Sequence, residues 1–443
     1  MRHSASLCST LCLESTPRRI RTFDLRIRSP LLYPAELSGH GFSLVVAWRQ
    51  STGFNSVMIA RRWKLLVLFF VFIVHCGEIH AQDVVIRVMT FNIEDVRHSD
   101  AEASGNARLE RIAEVIQRVR PNIVLLNEIE EHHGLGVSTA QAFIENYLMV
   151  PQAEGLDSID FESFTPRSNT GISTGLDLDR SGAVASVVPF KSIPQTAEQR
   201  AYGGDCFGFG GFPGQYGMSL LVDPRLTIDL EGIRTFQKFL WKDLPRAIAP
   251  TDPDGSAYYS DEAWEIFRLS SKTFADVPIE FSNGAVIHAL ISHPTPPAFD
   301  GVEMRNKYRN RDEIRLIRAY IDGDDAIYDD DGVYGGMEDG VPFVILGDLN
   351  ADPVDGSSIG DPIVDFLFGC DQVGEDVAPR SGIHVHRLDP TDTSSFRLRV
   401  DYVLPSSDLR VLNSGVWRYG VHDPGGFASD HFPAWVDLIL PAP

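Results

Sequence analysis

Five times along this chain a short apolar run of strand character stops at an Asn, Asp, Glu or His. The blocks are TFNIED with Asn92 and Glu94, LLNEIE with Glu128, ISHPTPP with His293, ILGDLNADP with Asp348 and Asn350, and ASDHFP with Asp430 and His431. A sixth, LRVDYVL, carries Asp401 inside the run. Buried strands read as β-branched, apolar stretches, and polar residues just past their ends face whatever cleft the sheet edges frame. One such block alone is an ordinary turn or cap. The ordered set points instead to an architecture whose strand ends meet.

The text between the blocks fills in that architecture. Residues 84–91 (VVIRVMTF) read as a strand; Leu109, Ile112, Ala113, Ile116 and Val119 then recur at helical spacing until Pro121 stops them, and 123–126 resumes the strand pattern. This is a β-α-β opening. Further strands are expected at 285–292, 341–346, 400–404 and 433–440, with a helix over 311–321. Residues 156–278 are loop-rich, because Gly clusters (GGDCFGFGGFPGQYG) and turn signals (DPDGS) break their apolar runs, and they read as long decorated loops.

Charge narrows the partners. The chain carries a formal -22, and residues 1–81 hold ten Lys or Arg against four Asp or Glu, so the remainder stands at -28. A field of that sign repels polyanions and gives no support to non-specific nucleic-acid binding. Carboxylates in such number suit hard divalent cations such as Mg²⁺, Mn²⁺ or Ca²⁺. In this acidic protein MRNKYRNRDEIRLIRAYI concentrates positive charge, and its Arg305, Lys307, Arg309 and Arg311 would either bind a substrate phosphate or pair with neighbouring acids. DLDRSG, with Asp177, Asp179, Ser181 and Gly182, echoes the start of a calcium loop, although Val188 stands where the closing acid belongs.

The amino-terminal region reads separately. Residues 58–81 have the form of a secretory signal, with Arg61, Arg62 and Lys64 before an apolar run from Leu65 to Val74 and Ala81 at the expected cut. That run is too short for a comfortable bilayer span, so an exported, extracellular or periplasmic protein is expected, with no stable membrane span. Cys76 would suggest lipidation, but bulky His75 precedes it. Residues 1–57 fit neither signal nor domain, and RRIRTFDLRIRSPLLYPAELSG resembles the peptide produced when a transfer-RNA gene is translated. We therefore expect translation to start at Met58, which native peptides from before that residue would refute. The catalytic domain is expected over 82–443. Past Ala81 only Cys206 and Cys370 remain, and an oxidising compartment would allow them to pair.

Taken together the blocks resemble the endonuclease/exonuclease/phosphatase superfamily, which has the deoxyribonuclease I-like fold. The matching elements are strand-Asn (Asn92), strand-Glu (Glu128), strand-His (His293), GD-x-N (Asp348, Asn350), a DY strand (Asp401, Tyr402) and a closing SDH (Ser429, Asp430, His431). GDLN and SDH in that order are the specific part. The segments GQYGM, TFQKFLWKD, SHPTPP and ILGDLNADPVDG are similar to an exported bacterial subgroup of that superfamily.

The resemblance implies an α+β fold, a four-layer α/β/β/α sandwich with long central loop insertions, and a metal-dependent phosphoric ester hydrolase using Mg²⁺ or Mn²⁺, with Ca²⁺ as a further option. Glu128 is implied as a metal ligand, with Asn92, Glu94 and Asp430 completing the set; relatives often carry Asp at the position of Glu94. His431 and Asp401 are implied as a paired imidazole and carboxylate acting on the water or the phosphoryl oxygens, with Asp348 as the rival base. Asn350 would donate to phosphoryl oxygens, and His293 would contact the phosphate or assist the leaving group. His288 reads as structural. Substrates in view are small phosphoesters, lipid head groups or nucleic acid, and no protein partner is inferred. An extracellular nuclease is the alternative activity, and a non-catalytic binding module on the same scaffold is the alternative of a different class.

Overall fold

β1 (Val84–Val96) alternates its side chains between two cores: Ile86 and Val88 face one cluster, Met89 and Phe91 another. That period of two is the signature of a strand buried on both faces. The computed structural model describes residues 84–132, 134, 136–185, 195–423 and 426–440, all within the unit Glu78–Pro443. The extension over 1–57, the signal over 58–81, Cys76 and Val188 lie outside the described residues.

The other strands are β2 (Ile123–Ile129), β3 (Glu162–Phe164), β4 (Met218–Val222), β5 (Thr227–Ile228), β6 (Arg234–Thr235), β7 (Phe274–Glu280), β8 (Val286–Ser292), β9 (Phe343–Asp348), β10 (Asp401–Pro405), β11 (Arg410–Val416) and β12 (Ala434–Leu440). One sheet runs β11-β12-β1-β2-β4-β3 and the other β10-β9-β8-β7-β5, with β6 also paired to β7. Among the described strand pairs only β1/β2 and β8/β9 are parallel, and each pair is joined through a helix, Ala107–Val119 and Arg305–Ile321 respectively. Asn106 caps the first helix by accepting from the amides of Arg108 and Leu109, and Arg120 ends it in a left-handed conformation just before Pro121.

The layers follow from which faces share a core. Ile86, Ile123, Leu220, Val277, Ile287, Val344, Val403 and Val436 fill the space between the two sheets. Met89, Val124 and Leu221 pack outward on the Ala107–Val119 helix, whereas Leu290, Phe343 and Ile345 pack outward on Ile314, Ile317 and Ile321. The result is the expected order helix, sheet, sheet, helix. Each such buried side chain contributes roughly 1.5–3 kcal/mol, so the sandwich is held mainly by these three cores.

Two expectations shift. Within 156–278, β4 and β7 are full members of the sheets; their runs MSLLV and FADVPIE are short, and Pro278 obscures the second. The second helix starts at Arg305 rather than 311, because its first turns bury Arg309 and Asn310, which carry no apolar signal. Cys206 and Cys370 are buried free thiols.

Candidate active site

The strand ends meet where the two sheets face each other, and Asn92 is the pivot. Its Nδ2 donates to Glu128 Oε1 at 3.1 Å and to Asp348 Oδ2 at 3.0 Å, one acceptor from each sheet. Asn127 adds a second cross-sheet bond by accepting from the Asp348 amide at 3.3 Å. Gly347 makes the approach of β9 to β8 feasible: at φ 153° a Cβ there would lie 1.8 Å from the Ser292 carbonyl oxygen, which is why GDLN needs its glycine.

Several site residues sit in the left-handed region that non-glycine residues rarely adopt: Glu94 (φ 55°), Asp95 (47°), Glu128 (62°) and Asn350 (54°). Each costs on the order of 1–3 kcal/mol and persists because the surroundings over-determine it. The Glu94 amide donates to Asn92 Oδ1 and the Asp95 amide to Glu128 Oε2, so the bend after β1 is tied directly to the site. The Asn350 amide likewise donates to Asp348 Oδ1 at 3.0 Å, and its side chain donates to the Pro294 carbonyl.

Asp401 and Asp348 are register partners across β10 and β9, which puts both carboxylates on one face. Thr393 Oγ1 accepts from the Val400 and Asp401 amides and fixes the start of β10. Asp401 Oδ2 then lies 2.8 Å from His431 Nδ1, while His431 Nε2 is 3.7 Å from Asp348 Oδ2. Burial alone would lower the imidazole's pKa, but the Asp401 and Asp348 carboxylates outweigh it and push the group up to about 10. Asp348 is raised to about 6, chiefly by burial, against the opposing pull of His431. Among the described residues, Asp348, Asp401 and His431 bring ligand-capable atoms within 4.8 Å of one another.

His293 Nε2 lies 3.4 Å from the same Asp348 oxygen. Burial, and the nearby charges of Lys272 and His431, hold its pKa well below the usual value, so this ring is neutral. Its Nδ1 is buried without a hydrogen-bond partner. His288 is apart from the cleft and binds Asp276 through Nδ1 at 2.8 Å, as a structural histidine would.

The expected metal ligands are arranged less tightly. Glu128 is half-buried, and burial raises its carboxyl. Glu94 is exposed and is raised by desolvation and then by the charge of Asp430. Glu128, Glu94 and Asp430 do not converge within 4.8 Å. The donor chemistry nevertheless suits a hard cation: carboxylate and amide oxygens, with Glu128 and Asp348 sharing one amide in a poorly solvated place where a positive charge would offset their repulsion.

Sequence reading missed Lys272, Asn127, Thr393 and Phe396. Lys272 precedes a strand hidden in the loop-rich stretch, Asn127 sits inside an apolar run, and Thr393 and Phe396 lie in a loop without a motif. The Phe396 ring stands edge-on to His431 at 5.3 Å. The basic segment is mostly spent internally: Arg309 donates to the carbonyls of Leu269, Phe207 and Arg268, Arg311 pairs with Asp312, and Arg305 pairs with Glu303. The calcium-loop echo gathers Asp177 and Asp179 with Asp205, but the Asp177 carboxylate accepts from the Ser181 and Gly182 amides and Asp205 from Leu178 and Ala185.

Residues 89–431 match the Endonuclease/Exonuclease/phosphatase family, and the chain belongs to that family. Membership points to a phosphodiesterase- or nuclease-type hydrolase. No curated protein matches the chain. Similar solved structures include an endonuclease/exonuclease/phosphatase from Beutenbergia cavernae (17% identity, 81% of this chain and 72% of that one, TM-score 0.43). Others are the human Nocturnin catalytic domain with bound sulfate (14%, 81% and 97%, 0.42) and truncated Caenorhabditis elegans TDP2 (14%, 80% and 98%, 0.40). No helix among the described residues is long and apolar enough to cross a membrane.

Proposed function

We propose that this chain is an exported, divalent-metal-dependent phosphoesterase acting on small phosphodiesters or phosphomonoesters. The observation that carries the reading is the Asn92 amide held between Glu128 and Asp348, with the His431–Asp401 pair on the other side of Asp348. Hydrolysis of a phosphate ester needs an activated water, charge neutralisation on the phosphoryl oxygens and a way to release the leaving oxygen.

Glu128 would hold the cation, Mg²⁺ or Mn²⁺, with Glu94, Asn92 and Asp430 contributing directly or through water. When bound, the cation supplies Lewis-acid polarisation of the phosphoryl group. Asp348, with one oxygen held by Asn92 and the other by the Asn350 amide, orients the attacking water and accepts its proton as the new P–O bond forms. His431, held as imidazolium by Asp401, donates a hydrogen bond to a non-bridging oxygen while the ester P–O bond breaks, and the leaving alkoxide takes a proton from solvent and departs as the alcohol. His293 is a neutral donor beside them, and Asn350 steadies the loop that carries it through the Pro294 carbonyl.

A small substrate suits the charge better than a long polyanion: the chain past residue 81 stands at -28, and three of the four basic residues in the Arg305–Arg311 segment are engaged within the protein. A phosphoester panel run with purified mature protein and varied metal tests the reading. Turnover of at least one ester is expected; inactivity on all of them with every metal would favour a binding module on the same scaffold.

A further inference from the structure

Glu94, Asp95 and Glu128 all hold left-handed backbone, and the first two are consecutive. The ladder shows why: Asn92 pairs with Asn127 and Val96 with Ile129, so Ile93, Glu94 and Asp95 bulge out opposite Glu128 alone. In that bend the Asp95 amide donates to Glu128 Oε2 at 3.1 Å. Such backbone persists only where its surroundings fix it. Asn92 fixes the near end by accepting the Glu94 amide. The far end is fixed through the Asp95 carboxylate, which accepts from Arg97 Nη2 at 2.8 Å and, with both oxygens, from Gln215 Nε2 at 3.1 Å.

Gln215 belongs to the Gly-rich run GGDCFGFGGFPGQYG of the central insertion and is 1% exposed. Its Oε1 accepts from the Gly211 amide at 2.8 Å and from Gln195 Nε2 at 3.0 Å, so every polar atom of the side chain is engaged. The amide can face Asp95 only with its nitrogen, since the reverse would set an oxygen against a carboxylate. The run is seated on the strand end just past Glu128: the Ile129 amide donates to the Gly217 carbonyl at 3.1 Å and the Glu131 amide to the Gly214 carbonyl at 2.8 Å. A Cβ at Gly214 would lie 2.1 Å from the Glu131 carbonyl oxygen, so only glycine permits this approach.

We infer that Gln215 is a positioning residue for the carboxylate of Glu128, acting through Asp95. The inference rests on the metal-ligand reading of Glu128 and gives the Gly-rich insertion a task in the site. A ligand already held in place loses less freedom when its cation arrives. The residue type follows from the contact. A hydrocarbon would withdraw a donor from both Asp95 oxygens, and an acid would set a second carboxylate against them where water is excluded.

The test is Mn²⁺ binding to the full mature protein without substrate, by calorimetry, with the melting temperature of each metal-free variant. Gln215→Met, which changes no charge, should bind about 10-fold more weakly than wild type. Asp95→Asn/Gln215→Glu keeps the net charge and exchanges donor and acceptor across the same contact, so it should return to within about 2-fold of wild type. On a Glu128→Gln background, Gln215→Met should cost less than about 2-fold. Gln215→Asn, one methylene too short to reach Asp95, makes the same comparison should the Met variant not fold. Wild-type affinity in Gln215→Met, with or without a lower melting temperature, would overturn the proposal by leaving Gln215 at most a structural task. No recovery in the exchanged pair, the full loss persisting on Glu128→Gln, or failure of both single variants to fold would overturn it too. Wild type that binds no Mn²⁺ would remove the metal reading and this inference with it. Binding that answers to Gln215 in a protein that cleaves no ester would refute the enzymatic reading alone.

Discussion

His431 Nδ1 lies 2.8 Å from Asp401 Oδ2, and the residue facing Asp401 across the ladder is Asp348. One imidazole thus answers two carboxylates from the opposite sheet. It is held as imidazolium, suited to donating to a phosphoryl oxygen rather than to taking a proton from water.

Replacing His431 with Ala removes that donor from the transition state. We expect a rate loss of about 10²-fold or more, with circular dichroism unchanged. Normal turnover would exclude the residue from the chemistry.

The pH profile of kcat/KM should be bell-shaped. Asp348 must be ionised, which puts the acidic limb near 6, and His431 must be protonated, which puts the alkaline limb near 10. His431→Gln should lose the alkaline limb from its residual activity. The same shift links to stability: a raised imidazole pKa contributes fully below the usual value of 6.5, and the contribution is lost as pH rises through about 10. The melting-temperature gap between wild type and His431→Gln should therefore narrow across that window. A gap constant from pH 6 to 11 (about the span of those two values) would contradict the assignment.

Much of this was legible in the sequence. The six blocks announced the cleft because each combines a local strand signal with a polar stop, and both parallel pairs were flagged by helical spacing between strands. β4, β7 and the early turns of the Arg305–Ile321 helix were not, since short runs, an internal proline and buried polar residues erase the periodicity on which such reading depends. Lys272 was invisible for a related reason: its place near His293 comes from a strand pairing that local sequence does not encode.

Ser429 offers a test of the scaffold behind the site. Its hydroxyl donates to the Asn92 carbonyl at 2.8 Å and accepts from the His431 amide at 3.1 Å. Ser429→Ala leaves both backbone groups short of a partner and should destabilise by about 1–3 kcal/mol, with turnover falling because Asn92 and His431 lose their common tether. Denaturant unfolding that matches wild type would show the tether to be dispensable.

Nucleic-acid binding should be weak and nearly flat in salt. A protein capturing a long polyanion through many phosphates shows a steep fall in affinity with ionic strength, and the engaged arginines of the 305–311 segment leave little to drive it. A steep slope in a salt titration with single- or double-stranded DNA would restore the nuclease alternative.

Glu128→Gln should shift the metal requirement to higher concentration, with added Mg²⁺ or Mn²⁺ partly restoring rate. An unchanged metal titration would remove Glu128 from the ligand set.

The most direct measurement is hydrolysis of bis-p-nitrophenyl phosphate by the purified mature protein, first with Mg²⁺ or Mn²⁺ and then with excess chelator. Release of p-nitrophenol that stops on chelation and returns with added metal is the expected result. Release at the same rate in chelator would contradict a metal-dependent phosphoesterase.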